Sequence, residues 1–365
     1  MNKNDFTWLF DDDILNDSFT ASENRITGDW LRSRFVFNDD VKNLISTIKT
    51  VPKNMGIVPS IFGSLNKDLV NEYLKLIGDN PSDETILETL LMKKQIVLTG
   101  VPGTGKSRFL DSIKKQFYKH EIIQFHANYS YEDFIGGETL VDGTIESRMG
   151  IFLSFCREAE KEPTNDFLFI IDELNRGNIA QIFGETILTL DREYSVDLSR
   201  PIKLKEDGIV IKSFRIPQNV YIAGSMNTAD RNIAFLDLAI RRRFAFIEIN
   251  PNYEVVSALA EYQNFDLGNV LKTINNSIFN TLNKEELYLG QSYFLSEAVY
   301  NNDTGRYIWT DEQFQMQFNY VILPTLKEYT FSDKNALITI LGNELSSGIL
   351  NLEDFIQAFA DFFNN

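Results

Sequence analysis

Eight consecutive residues, Gly100, Val101, Pro102, Gly103, Thr104, Gly105, Lys106 and Ser107, have the types and spacing needed to hold a chain of phosphates. The glycines let backbone N–H groups wrap an anion, Lys106 reaches its outer oxygens, and the Ser107 hydroxyl is a ligand for Mg²⁺. Arg108 follows directly and joins the candidate nucleotide-binding set. The apolar run Gln95 to Thr99 precedes the loop and a helical pattern follows it, which is the context that separates a phosphate loop from an ordinary glycine turn.

A second group closes the run Phe167, Leu168, Phe169, Ile170, Ile171 with two carboxylates, Asp172 and Glu173. Acidic side chains at the carboxyl end of a buried strand stand where ligands of open α/β sheets bind. Asp172 is then the candidate metal ligand beside Ser107, and Glu173 the candidate base that orients and deprotonates a water. A solvated strand end is the plain alternative, and the phosphate loop at this separation argues against it. A third group, Gly224 to Arg231, ends the next apolar run and offers Asn227 as a hydrogen-bond donor to a phosphate or to the attacking water. Turn or capping roles for Asn227 and Asp230 are the competing reading.

These residues need a sheet to bring them together. Short apolar runs alternate with longer amphipathic segments from about 83 to 250, the pattern of an α/β domain with a mostly parallel sheet flanked by helices. The spacing predicts strands at Gln95–Thr99, Ile122–His126, Phe167–Ile171, Val220–Gly224 and Phe244–Ile249. Helices are expected near 106–118, 150–161, 178–190 and 232–243. Alternation around Asp207-Gly208 predicts a β-hairpin within 194–216, and Asp142-Gly143 offers a second turn. After Pro251 the strands fade, so 251–365 is expected to be a helical lid. Residues 1–82 form an N-terminal region of unassigned role, with helical faces at Leu44, Ile45, Ile48 and Val51 and at Leu69, Tyr73, Leu76 and Ile77.

Composition narrows the function classes. The chain has 365 residues, 43% hydrophobic and 24% charged, and no uncharged apolar run long enough to span a bilayer. Its start lacks the pattern of a secretory signal, so a cytoplasmic protein without membrane contact is expected. A net charge of −17 argues against a surface built as a nucleic-acid platform. One cysteine and two histidines leave no plausible His/Cys zinc site, and Cys156 reads as a buried thiol.

The runs Asp172-Glu173-Leu174-Asn175-Arg176-Gly177-Asn178, Met226 to Arg231, Arg241-Arg242-Arg243-Phe244 and Phe125 to Phe134 together resemble the AAA+ domain of the McrB family, the NTPase subunit of modification-dependent restriction systems. The resemblance covers about residues 85 to 300. It implies an AAA+ P-loop core with a C-terminal helical lid, Asn227 as sensor, Asp230 and Arg231 in the signature loop, and Arg242 or Arg243 as an arginine finger reaching a neighbouring subunit. Gly290 to Phe294 resemble the lid segment in which the family usually has His at the position of Gln291, and the resemblance does not extend over residues 1–80 to the modified-DNA-reading domain of the best-known members.

The resemblance further implies an NTPase using ATP or GTP with Mg²⁺, assembled as a homo-hexamer. It would drive DNA restriction or another antiviral response with a McrC-like nuclease-type partner, DNA being reached through that partner or the ring pore. A MoxR-type remodelling chaperone acting on protein complexes is the rival from another class. A nucleotide-holding module without turnover is disfavoured by Lys106, Asp172 and Glu173.

Overall fold

The segment leading into the sheet is helix α1 (Asp83–Lys93), and its ends are written in the sequence. Ser82 caps it by accepting from the Thr85 N–H at 3.2 Å. Asp83 and Glu84 occupy the first turn and Lys93 the last, which complements the helix dipole. The computed structural model describes residues 80–363, apart from 142–143, 205–207, 230–237, 296–297, 302–304 and 350. The helical faces expected between Leu44 and Ile77, the Asp142-Gly143 turn, and Asp230 and Arg231 lie outside the described residues.

Strand β1 (Gln95–Gly100) runs through the phosphate loop into α2 (Lys106–Ile113) and then to β2 (Lys119–Gln124). A short helix, α3 (Tyr131–Phe134), leads to a hairpin of β3 (Gly136–Val141) and β4 (Thr144–Met149), followed by α4 (Ile151–Lys161) and β5 (Phe167–Asp172). Next come α5 (Ile179–Phe183), a second hairpin of β6 (Val196–Lys203) and β7 (Val210–Phe214), then β8 (Val220–Asn227), α6 (Leu238–Arg241) and β9 (Ala245–Glu248).

Five of these strands form one parallel sheet in the order β2-β5-β8-β1-β9. The inner strands are apolar throughout because both faces are covered. Their side chains alternate between two cores. Val97, Phe169, Ile171 and Ile222 face one, while Ile96, Leu98, Leu168, Ile170 and Ala223 face the other. Each fully buried large side chain contributes on the order of 2 kcal/mol. The first core is rich in rings, with Phe134 stacked on Phe152 at 4.7 Å and Phe152 edge-on to Phe169 at 4.8 Å. Cys156 on α4 is buried in the same core, and burial pushes its thiol well above the ordinary value.

The sheet differs from expectation at its edge. β2 starts three residues earlier than the apolar run predicts, because an edge strand exposes alternate side chains, here His120, Ile122 and Gln124, and so carries a weaker apolar signal. The hairpin expected within 194–216 is present, with Ile202 opposite Ile211.

Beyond Pro251 the lid contains α7 (Tyr253–Leu259), β10 (Ala260–Glu261), α8 (Leu267–Leu282), β11 (Val299–Asn301), β12 (Arg306–Ile308), α9 (Asp311–Gln317), a π-helical turn at Phe318–Ile322, α10 (Leu323–Tyr329), α11 (Lys334–Ser347) and α12 (Leu352–Phe363). It is mostly helical, as expected. The strands fade without vanishing, since the lid also holds a small three-stranded sheet, β10-β12-β11. Strands of two or three residues bury too little for a readable alternation. The lid has its own core, centred on Phe294, Phe314, Phe318, Phe355 and Phe359. No helix among the described residues is long and apolar enough to cross a membrane.

Candidate nucleotide-binding site

All five strands of the main sheet point the same way, so the loops at their carboxyl ends share one edge. The phosphate loop leaves β1 there, Asp172 and Glu173 leave β5, and Asn227 closes β8, which lies between them. Gly105 is the amino-terminal cap of α2 and has φ 83°, a left-handed conformation that an L side chain rarely adopts. Thr104 is buried, its hydroxyl donating to the Val101 carbonyl at 3.1 Å. Lys106 is also buried, and its ammonium donates to the carbonyls of Gly100 at 2.9 Å and Val101 at 2.8 Å. The lysine is therefore held against its own loop. Ser107 and Arg108 are exposed, the Arg108 guanidinium standing 5.8 Å from the Phe109 ring centre.

Strand β8 organises both carboxylates. The Ser225 hydroxyl donates to Asp172 Oδ1 and accepts from the Glu173 N–H at 3.3 Å. Asn227 Nδ2 donates to Glu173 Oε1 at 2.7 Å, and Asn175 Nδ2 donates to the Asn227 carbonyl at 3.2 Å. Glu173 Oε2 lies 3.2 Å from Arg176 Nε, within ion-pair range. That oxygen is buried, yet no protein donor among the described residues is aligned on it. Glu173 also has φ 52°, a non-glycine residue in the left-handed region, which carries roughly 1 kcal/mol or more of backbone strain. The strain turns the chain sharply at the strand end, and the Asn227 bond fixes where the carboxylate points.

The donor set suits Mg²⁺. A serine hydroxyl and a carboxylate are hard oxygen ligands, and this ion commonly takes one or two protein ligands and fills its shell with phosphate and water. Among the described residues no group of three or more His, Cys, Asp or Glu is arranged to hold a metal alone. Ser107 and Asp172 are the residues that would hold it.

The lid reaches this edge directly. The Ser292 N–H donates to the Gly103 carbonyl at 2.9 Å and Gln291 Nε2 to the Thr104 carbonyl at 2.6 Å. Gly290 is needed for that approach, since a Cβ there would stand 2.2 Å from the Gly103 carbonyl carbon and 2.4 Å from the Pro102 oxygen.

Residues 95–244 match the AAA domain (dynein-related subfamily), and residues 266–337 match the McrB alpha-helical lid domain. The EcoKMcrB subunit of the type IV methyl-directed restriction enzyme of Escherichia coli (strain K12) is 34% identical over 321 residues, covering 81% of this chain and 67% of that protein. This chain belongs to the McrB family of AAA+ NTPases. The YdiS component of the type II restriction enzyme BsuMI of Bacillus subtilis (strain 168) is 28% identical over 189 residues, 41% of this chain and 55% of that protein.

In this McrB-family chain the two ends of the segment Phe125 to Phe134 are packed inside. Phe125 and Phe134 enter the aromatic core, while Ser130 and Asp133 form a capping box that starts α3. The three arginines divide. Arg243 has an almost fully buried side chain, its Nε donating to Asp191 Oδ2 at 2.9 Å, and its carbonyl accepts from Gln95 Nε2 at 2.8 Å. Within its own chain the Arg243 guanidinium is thus engaged by Asp191, whose side chain is 43% exposed. Arg242 is exposed, and Arg241 is exposed with its guanidinium 5.8 Å from the Phe246 ring centre.

The site also includes Ser225, Arg176 and Gln291, to which the sequence alone assigns no role. Ser225 could have been found by period, since it stands two residues before Asn227 on the same strand. Arg176, three residues after Glu173, was equally readable once the turn was known. Gln291 is 187 residues from its partner Thr104, and although the lid segment Gly290 to Phe294 marks its position, the contact itself is not readable from local sequence.

Proposed function

We propose that this chain hydrolyses a nucleoside triphosphate, ATP or GTP, and acts as the ring motor of a restriction or antiviral system with a separate nuclease-type partner. The observation that carries the hydrolytic reading is the Glu173 carboxylate, fixed through Oε1 by Asn227 on the strand next to the phosphate loop. With Oε1 occupied, Oε2 is the atom that accepts the proton of the attacking water. Asn227 prevents the carboxylate from rotating away, and Ser225 orients Asp172 as a metal ligand. Lys106 leaves the carbonyls of Gly100 and Val101 to meet the outer phosphate oxygens. Bound Mg²⁺ would neutralise charge on those oxygens during transfer.

Membership in the McrB family and the restriction enzymes to which its relatives belong favour the defence reading over the remodelling chaperone. Exposed Arg242, close in sequence to the last strand of the sheet, is the remaining trans-acting candidate of the two arginines, and a finger contributed by a neighbour implies head-to-tail rings, a hexamer in our reading. DNA contact is compatible with the charge of −17 because the β6–β7 hairpin exposes Arg200, Lys203, Lys212 and Arg215. None of the four is ion-paired among the described residues, so this hairpin offers cations to phosphates, with Asp197 the exposed carboxylate on β6.

Phosphate release from the purified chain with Mg²⁺ and either ATP or GTP, followed over protein concentration and with a nuclease-type partner added, tests the proposal. Turnover per chain that rises with concentration supports a ring with shared sites. Nucleotide binding without turnover under every condition would overturn the hydrolytic reading.

A further inference from the structure

The lid meets the phosphate loop through two donors placed on consecutive carbonyls. In a trans peptide the C=O and the following N–H point in opposite directions. The Ser292 N–H on the Gly103 carbonyl therefore sets the Thr104 N–H, and Gln291 Nε2 on the Thr104 carbonyl sets the Gly105 N–H. Both N–H groups belong to the stretch that would wrap a phosphate. The other end of the same amide is also engaged, Gln291 Oε1 accepting from the Asn252 N–H at 3.2 Å. Asn252 is the cap of α7, where the chain enters the lid, and its own side chain accepts from the Val255 N–H at 3.0 Å.

We propose that Gln291 is a positioning residue for the phosphate groups of the nucleotide, aligning the Gly105 peptide when the lid is docked and so coupling lid docking to phosphate binding. The inference rests on reading Gly100 to Ser107 as the phosphate cradle. It acts on peptide orientation and not on a base, so adenine and guanine nucleotides are affected alike. Gly290 permits the coupling by letting the two backbones touch, and Thr104, buried beneath, keeps the loop from yielding.

Gln291→Glu isolates the effect. The side chain keeps its shape and its acceptor for the Asn252 N–H, but it turns carboxylate lone pairs towards the Thr104 carbonyl in place of an N–H. Binding of fluorescent ADP and GDP derivatives to the full chain with Mg²⁺ is measured from pH 5 to 8, each value divided by that of the parent chain at the same pH. Affinity about tenfold weaker is expected at pH 8, on the scale of one hydrogen bond turned repulsive. The ratio should narrow towards pH 5, because a protonated carboxyl regains an O–H donor for Thr104 and its titration is raised by the facing carbonyl. A ratio of one at pH 8, or a deficit that does not change with pH, would overturn the proposal.

Gln291→Ala provides an independent readout by amide hydrogen exchange. In the parent chain ADP should slow exchange across residues 288–294, and in Gln291→Ala that protection should be lost. Equal protection in both chains would count against the coupling even if Gln291→Glu failed to fold. Failure of the underlying reading looks different, since the parent chain would then bind nucleotide no better than Lys106→Ala.

Discussion

Asn227 on β8 donates to Glu173 at the end of β5, a 2.7 Å bond between neighbouring strands that fixes one oxygen of the carboxylate we assign as the base. Two substitutions separate its parts. Glu173→Gln retains nucleotide binding and lowers turnover by at least about a hundredfold, the scale of a general base. Asn227→Ala leaves the base present but unfixed, so a loss of roughly tenfold to a hundredfold in turnover with little change in affinity is expected. Phosphate release and equilibrium binding on the same preparations check both, and normal hydrolysis by Glu173→Gln would remove that residue from the mechanism.

Arg242 and Arg243 should respond in opposite ways. Arg243→Ala breaks the pair with Asp191 and lowers stability by about 2 kcal/mol, less than a wholly buried pair because Asp191 is 43% exposed. Arg242→Ala changes the unfolding midpoint little but lowers turnover. Mixing Arg242→Ala with excess Glu173→Gln chains should restore activity at hybrid interfaces, as each mutant supplies what the other lacks. Denaturant titration and phosphate release decide between these outcomes, and a mixture as inactive as its components would count against a finger acting in trans.

Metal dependence is linked to Ser225. Chelating divalent ions should abolish turnover while leaving the circular dichroism spectrum unchanged, because no group of three or more His, Cys, Asp or Glu among the described residues is arranged as a structural metal site. Ser225→Ala removes the donor on Asp172 and should raise the Mg²⁺ concentration for half-maximal turnover by about threefold to tenfold, the scale of one hydrogen bond behind a ligand. An unchanged Mg²⁺ requirement would show that Asp172 is oriented without Ser225.

Acid sensitivity should be traceable to Glu185. Partial burial works to raise its carboxyl, but hydrogen bonds from the Ser199 N–H at 2.7 Å and the Tyr131 hydroxyl at 3.2 Å outweigh it and hold the group below its ordinary 4.5. A carboxyl lowered in the folded state stabilises above its unfolded value and loses that contribution as pH falls through the folded one. The difference in urea midpoint between the parent chain and Glu185→Gln should therefore be constant above about pH 5 and shrink below 4.5. A constant difference down to pH 3 would contradict this.

How much could be read in the sequence depends on how local each signal is. Inner strands such as Phe167–Asp172 are apolar because both faces are covered, so their position was plain. The phosphate loop and the acidic pair are contiguous and needed no tertiary information. Helix α2 ends at Ile113, before the expected 118, because the chain tightens into a 3₁₀ turn at Lys114–Gln116 whose polar residues resemble helix surface. Arg243 and Arg242 are adjacent and chemically identical, and only packing against Asp191 and Gln95 distinguishes them. Gln291 is meaningful only after the lid is folded onto the loop.

Cys156 is the only thiol in the chain, and it lies sealed within the aromatic core beneath the sheet. A thiol reagent should therefore ignore the native molecule and modify it only when that core opens, so the rate of labelling measures spontaneous opening without any engineered probe. The same silence makes every exposed position available for a single introduced cysteine. A dye on the lid of one chain and another on a second chain could then report in real time whether chains assemble, with no competing site.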